Sequence, residues 1–421
     1  MSTLETDVRP AGSCESLSRG PVAYLFTTFG TPSETFLRRE LAAMRSLGVD
    51  ARVYSLWGGL GEEPQRKVPL WEMLTLFWRA WGAIWEKPEA FREMGEHMLD
   101  ADIPNWLNFG ENWRGIGCAI LIARELKKAR TRRSHAVWAT MPAAAAWLLH
   151  HLAGIPYSMG AHAYDIFENG GDWLLPLKLR DATLVHCSSL AARRQVLAKG
   201  CEAGKIVVIR RGLNNMPSSI KPLRKERRER LRLVSVGRLV EKKGFRAQLA
   251  LYAELAKRDL AFEARIVGGG PLEKELQAES RRLGLEDIVR FTGWLDEEGV
   301  RAELERADTF IFTGRVTASG DRDGLPNALA EAMAMGLPVL STRVGAITEV
   351  IRHGENGYIL PIDDRAKWRS ALESIRDDDA LCERLRRSAR AWVVEHFDAK
   401  TNATRLLDET ERRIAQSLSI D

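Results

Sequence analysis

Short apolar runs alternate with longer amphipathic stretches along most of the chain, and that rhythm predicts strands and helices in regular succession. Val22-Ala23-Tyr24-Leu25-Phe26 reads as a buried strand. From Pro32 to Leu47, apolar Phe36, Leu37, Leu41 and Met44 recur at the helical period, and residues 51–56 form a second strand. Strand–helix–strand order implies parallel pairing. Ala136-Val137-Trp138, Tyr157-Ser158-Met159, Thr183-Leu184-Val185 and 206–209 continue the series. Between Asn214 and Glu229 the periodicity breaks at Pro217 and Pro222, and a basic run follows, so 215–229 is read as a linker. A second series then runs through 231–236, 263–267, 289–292, 309–313, 338–341 and 357–360, with helices between, for instance Pro271 to Leu283. The last helical stretch, Lys400 to Gln416, has no strand after it. The expectation is an α/β protein: two Rossmann-like, doubly wound domains facing across a cleft, with ligands at the carboxyl ends of the strands.

The stretch Asp323-Gly324-Leu325-Pro326-Asn327-Ala328-Leu329-Ala330-Glu331 sets two carboxylates eight positions apart across a helix start. Pro326 suits the first helical turn, and Asp323 or Gly324 the cap. Free amides at a helix start favour phosphate. A carboxylate inside the helix can accept from ribose hydroxyls, and one in the loop before it from a second polyol. That pattern asks for phosphates between two polyols, as in a nucleotide sugar. An ordinary capped helix with a stray Glu explains the segment equally well on its own.

Three further places carry chemistry. Gly237-Arg238 follows the first strand of the second half, with Lys243 close behind. Arg offers a bidentate fork to phosphate oxygens and Lys a point charge; a solvated basic turn is the plainer reading. Gly268-Gly269-Gly270 resembles a dinucleotide loop, but Glu273 stands where the third glycine belongs, so a nicotinamide site is weakly supported. These glycines read instead as a tight turn beside the cleft. In the first half, His162 follows a strand and precedes Asp165, either as a site histidine or as a buried one satisfied by that carboxylate. Thr31-Pro32-Ser33-Glu34 is a capping box in which Glu34 bonds backbone. Phe29-Gly30 before it makes a loop on the acceptor side.

Residues 69–86 hold four of the thirteen tryptophans, Trp71, Trp78, Trp81 and Trp85. Read as a helix, Glu72, Thr75, Arg79 and Glu86 leave only a narrow polar stripe. Such a segment is either packed in a core or acceptor site, or lies at a membrane interface. Basic residues Lys127, Lys128, Arg130, Arg132 and Arg133 offer attraction to anionic lipid.

Composition narrows the classes. With 421 residues there is room for two or three domains, and 45% hydrophobic with 28% charged residues is the balance of a globular chain. Net charge of +5 gives no argument for nucleic acid. The five cysteines are scattered without metal-ligand spacing, which fits a reducing cytoplasm. Residues 1–19 read as a flexible tail, and no uninterrupted apolar run is long enough to span a membrane.

Taken together, Ser33-Glu34-Thr35-Phe36, Ala161-His162-Ala163-Tyr164-Asp165, Gly237-Arg238 with Lys243, Gly268–Gly270, Gly320-Asp321-Arg322-Asp323-Gly324-Leu325-Pro326 and Glu331 resemble the family-4 retaining glycosyltransferases of bacteria that build exopolysaccharide and lipid-linked glycans. The resemblance covers about residues 20–415 and implies the GT-B fold, with residues 20–214 plus 396–421 binding acceptor and 230–395 binding donor. It implies catalytic roles for His162, Asp323, Arg238 and Lys243. It places Gly237, Arg238, Lys243, Gly268, Trp294, Asp323, Gly324, Leu325, Pro326 and Glu331 around the donor, and Gly30 and Asp165 on the acceptor side. The first carboxylate of the family's pair is usually Glu; Asp323 is one methylene shorter.

The expected activity is retaining transfer of a hexosyl group from a UDP- or GDP-sugar to a glycan, lipid-linked or small-molecule hydroxyl, at the cytoplasmic face of a membrane. No cofactor or metal is expected, although Asp321-Arg322-Asp323 has the spacing of a metal motif. A sugar-nucleotide epimerase, a phosphorylase of the same fold and an NAD-dependent oxidoreductase are the alternatives.

Overall fold

The computed structural model describes residues 20–418 apart from 32–34, 60–62, 101, 102, 104, 215 and 259. The tail expected over 1–19 and the capping residues Ser33 and Glu34 lie outside the described residues.

The chain builds two parallel sheets. The first contains β1 (Val22–Phe26), β2 (Ala51–Ser55), β3 (Arg66–Lys67), β4 (Arg133–Ala136), β5 (Tyr157–Ala161), β6 (Leu184–Cys187) and β7 (Ile206–Val208), in the order β3-β2-β1-β4-β5-β6-β7. The second contains β8 (Leu231–Val236), β9 (Phe262–Val267), β10 (Val289–Gly293), β11 (Thr309–Phe312), β12 (Val339–Ser341) and β13 (Tyr358–Ile359), in the order β10-β9-β8-β11-β12-β13. Helices cover both faces, so a strand such as β1 is buried at every position and reads as an unbroken apolar run. Strand order reverses between β1 and β4 and again between β8 and β11. At such switch points an α/β sheet opens a crevice at its carboxyl ends.

Five helices of the first lobe matter below: α1 (Thr35–Ser46), α2 (Leu76–Glu86), α3 (Pro88–Asp100), α4 (Trp106–Lys128) and α5 (Met141–Ala153). The C-terminal helix Ala399–Leu418 packs back on this lobe, with Ala403 and Leu406 in the same core cluster as Val22, Tyr24 and Leu37.

Two expectations need correcting. The strand read at 136–138 is Arg133–Ala136, and Trp138 has already left the sheet. Polar residues disguised it, and the two large ones have partners inside. Arg133 pairs with Glu411 at 3.4 Å, and His135 Nδ1 meets the Ser158 hydroxyl at 2.8 Å. The tryptophan-rich segment is not one helix but a 3-10 turn, Leu70–Thr75, running into α2, and it is not core. Glu72, read as part of the narrow polar stripe, is buried against Arg66 at 2.6 Å, while Trp71, Trp78, Trp81 and Trp85 face solvent.

Candidate active site

The first wall is built where β5 ends. The Asp165 carboxylate accepts backbone N–H groups of His162 (3.2 Å), Ala163 (2.6 Å) and Ala139 (3.3 Å), which pins the turn carrying His162. Asp165 therefore holds the loop and not the imidazole, contrary to the pairing considered from sequence. The His162 ring is buried, edge-on to Trp138 at 5.8 Å and to His186 at 5.0 Å. Its Nδ1 has no hydrogen-bond partner among the described residues. Burial, and then the positive charge of Arg211, hold its pKa well below the ordinary histidine value, so the ring is neutral. Arg211 in turn lies over the Phe36 ring at 3.4 Å. Gly30, in the turn after β1, takes a left-handed φ of 91°.

The facing wall begins at the ends of β8 and β9. Gly268 sits at φ +128°, and a Cβ there would stand 2.2 Å from the Gly237 carbonyl. Only glycine permits both the conformation and the approach. The two turns are thereby pressed together. Lys243 passes along Gly237, with its Cε 3.2 Å from where a Cβ would be. The next residue, Gly244, has φ +73° and leaves no room for a Cβ against the Thr313 carbonyl. Arg238 is exposed and has no side-chain partner among the described residues. Trp294, after β10, is half exposed, with its ring against Gly269.

The carboxylate helix runs over Asn327–Ala334, with Pro326 at the N-cap position and not in the first turn as expected. Asp323 lies in the preceding loop, where the Lys243 ammonium meets it at 2.9 Å. Asp321 meets Lys242 at 3.0 Å. Each carboxylate of the Asp-Arg-Asp triplet thus has its own lysine. Lys243, expected to be solvated, is instead largely covered and paired. Gly324 brings the second wall onto the first: a Cβ there would be 2.9 Å from the His162 carbonyl oxygen. Glu331 sits one turn inside the helix, part-exposed, and accepts from Arg39 of α1 at 2.8 Å. Arg39 also reaches Glu297 at 3.2 Å.

His162, Lys243, Asp323 and Gly324 are therefore brought to one place where the two sheets' carboxyl ends face each other. With its lysines paired to aspartates, the cleft keeps Arg238 as an unneutralised cation, a disposition that suits an anionic ligand. Sequence reasoning did not find Arg39, Lys242, Arg211 or Glu349. Glu349 accepts from the first two amides of the first-lobe helix Leu190–Ala198, at 2.8 Å each, and joins the two lobes. Arg39 and Glu331 are 292 positions apart, and Glu349 is 159 from Leu190, so no local spacing could reveal either contact. Lys242 beside Asp321 did have a signal, since two adjacent lysines face two alternate aspartates.

Two doubly wound parallel sheets facing one another in this way make a GT-B fold. Residues 219–392 match the family described as "Glycosyl transferases group 1". Among curated relatives, the amylovoran biosynthesis glycosyltransferase AmsK of Erwinia amylovora is 34% identical over 52% of this chain and 54% of its own length. The putative colanic acid biosynthesis glycosyltransferase WcaL of Escherichia coli K12 is 35% identical over 54% of this chain and 53% of its own. The chain thus spans about half the length of the curated relatives it matches. Similar solved folds include Anabaena HepE in complex with UDP and glucose, with a TM-score of 0.64 and 17% identity over 95% of this chain and 99% of that one. Sucrose-phosphate synthase from Thermosynechococcus elongatus gives 0.70 and 15% over 94% and 100%.

Proposed function

We propose that the protein is a retaining glycosyltransferase that moves a hexosyl group from a nucleoside-diphosphate sugar to an acceptor hydroxyl on a glycan, a lipid-linked sugar or a small molecule, working in the cytoplasm. The observation that carries this reading is the convergence of Lys243, Asp323 and Gly324 on the His162 turn, 2.9 Å separating the lysine from the aspartate. The group 1 match over 219–392 covers the lobe that supplies the cations and the carboxylates.

As the anomeric bond breaks, negative charge grows on the leaving diphosphate. Arg238, Lys243 and the amides around Gly324 and Leu325 are the groups disposed to meet it, and interactions that strengthen as charge develops lower the barrier. Diphosphate entering beside Lys243 would share that ammonium with Asp323, turning the carboxylate toward hydroxyls of the donor sugar. Glu331 takes the ribose hydroxyls. Trp294 offers an aromatic face at the nucleotide end. Neutral His162 keeps positive charge away from the forming cation at the sugar and offers its carbonyl to the cleft. Attack by the acceptor comes from the face the diphosphate leaves, so the anomeric configuration is retained.

The pairing of Asp321 with Lys242 and of Asp323 with Lys243 supports transfer without a metal. Proton NMR of the first product tests the stereochemistry. The donor's anomeric configuration should be kept; inversion refutes the front-face account. Activity that survives exhaustive chelation is expected, and loss restored by Mg²⁺ refutes metal independence.

A further inference from the structure

Outside the cleft, the largest anomaly is the outer face of the Leu70–Thr75 turn and α2. Met73, Leu76 and Ala83 point inward onto α4 and its neighbours. The opposite face carries Trp71 (65% exposed), Leu74 (82%), Trp78 (78%), Trp81 (56%) and Trp85 (82%), with Leu70 and Phe77 beside them. An aromatic side chain offers ~200 Å², so the four tryptophans alone leave on the order of 500 Å² of apolar surface in water. Adding Leu70, Leu74 and Phe77 passes the roughly 300–600 Å² of the largest patch an ordinary monomer carries.

Charge is sparse on this face. Between Leu70 and Trp85 the only charged residues are Glu72, paired inward with Arg66, and Arg79, whose guanidinium reaches back toward the Leu121 carbonyl. A protein partner is ordinarily met by a rim of hydrogen-bonding groups, and few charged ones border this stripe: exposed Arg79 within it, and Glu86 and Lys87 at its end. Of the basic residues expected to assist, Arg132 and Arg133 pair with Glu411, and Lys127 and Lys128 close α4 beyond the Leu121 carbonyl that Arg79 reaches.

The stripe also has a direction. β3 runs parallel to β2, so the Leu70 turn starts at the carboxyl-end rim of the sheet, on the cleft side. Exposed Trp57 joins that rim, with Arg114 over its ring at 4.9 Å. Trp106 and Leu107, at the start of α4, add more exposed apolar surface. No helix among the described residues is long and apolar enough to cross a bilayer.

We propose that this stripe seats the protein on a lipid bilayer surface, with tryptophans at headgroup level and the mouth of the cleft turned toward the membrane. Tryptophan prefers that level because its ring is apolar and its N–H is not. A stripe made mostly of apolar side chains matches the headgroup–acyl boundary, where buried apolar area and not anionic lipid supplies most of the binding. The inference stands on the exposed face alone, so vesicle binding and sugar transfer can fail independently.

The test is co-sedimentation of the full chain with phosphatidylcholine vesicles and with vesicles also containing phosphatidylglycerol, at low and high salt. Binding to both, persisting at high salt, is expected. Trp78→Ser with Trp81→Ser should lower the bound fraction several-fold without changing the melting temperature or nucleoside diphosphate binding. Should that variant unfold, Leu74→Ser with Trp85→Ser replaces it, since both side chains barely touch the protein. Wild type left in the supernatant, or a folded variant that sediments as well as wild type, overturns the proposal. Binding only to anionic vesicles and lost in salt overturns it too. So does a lipid-free dimer in sedimentation velocity that the same substitutions break, which would give the face to a second copy.

Discussion

At the residue scale, the cleft's charges are arranged as exchangeable pairs. Lys243 is held by Asp323 at 2.9 Å, while Arg238 is free to meet an incoming anion. Lys243→Ala should therefore remove transfer by two to three orders of magnitude, about 3–4 kcal/mol of transition-state stabilisation. Asp323, with 14% of its side chain exposed, loses its ion pair in this variant, so turnover is compared in protein shown to be folded. Arg238→Ala should act in the same direction. Turnover within a few fold of wild type in either folded variant refutes the assignment. The two carboxylates should separate by ligand. Glu331→Ala weakens binding of the free nucleoside diphosphate, since ribose is present with or without the sugar. Asp323→Ala depresses transfer and changes that affinity little. Calorimetric titration of both variants decides this, and equal losses mean that the roles are wrongly divided.

At the scale of elements, α1 and the helix Asn327–Ala334 are tied through Arg39 and Glu331 at 2.8 Å. A ribose bound by Glu331 would compete with that guanidinium for the carboxylate. Arg39→Ala should then tighten nucleoside diphosphate binding; weaker binding would make Arg39 a ligand contact instead of a competitor. This contact marks where reading the sequence stops. β1 was legible to the residue because it is an unbroken apolar run buried at every position, and β8 because Leu231, Leu233, Val234 and Val236 dominate it. The loop–helix holding Asp323 and Glu331 was legible because its chemistry is local. β4 was misplaced because Arg133 and His135 are buried by partners far along the chain. Periodicity showed that the 69–86 segment was unusually apolar, but not which side faced water, since Glu72's inward turn depends on Arg66. The contacts of Arg39 and Glu349 belong to the juxtaposition of the lobes, which no window of sequence contains.

For the whole molecule, buried histidines predict acid sensitivity. Burial holds His135 down to about 3 and keeps His162 and His186 low. The folded state therefore leaves these rings unprotonated where the unfolded chain, with an ordinary pKa near 6.5, binds protons. Stability present at neutral pH is lost as pH falls below about 6.5, by up to ~1.4 kcal/mol per pH unit for each ring. Glu111 opposes this. Burial, with Asp172 nearby, raises it to about 7, so the folded state takes up that proton first and gains stability as pH falls through 7. The melting temperature should fall between about pH 7 and 5, and more steeply in Glu111→Gln. A flat profile, or a shallower one in the variant, contradicts this balance.

The central claim is that the cleft between the two sheets breaks the bond between a sugar and a nucleoside diphosphate. Its most direct test is release of nucleoside diphosphate from UDP-, GDP-, ADP- and dTDP-sugars by wild type, beside Lys243→Ala, with NAD⁺ binding measured in parallel. The account predicts release from at least one donor class, near-complete loss in the variant, and no saturable NAD⁺ binding. No release from any donor together with saturable NAD⁺ binding, or release that Lys243→Ala leaves untouched, would contradict it.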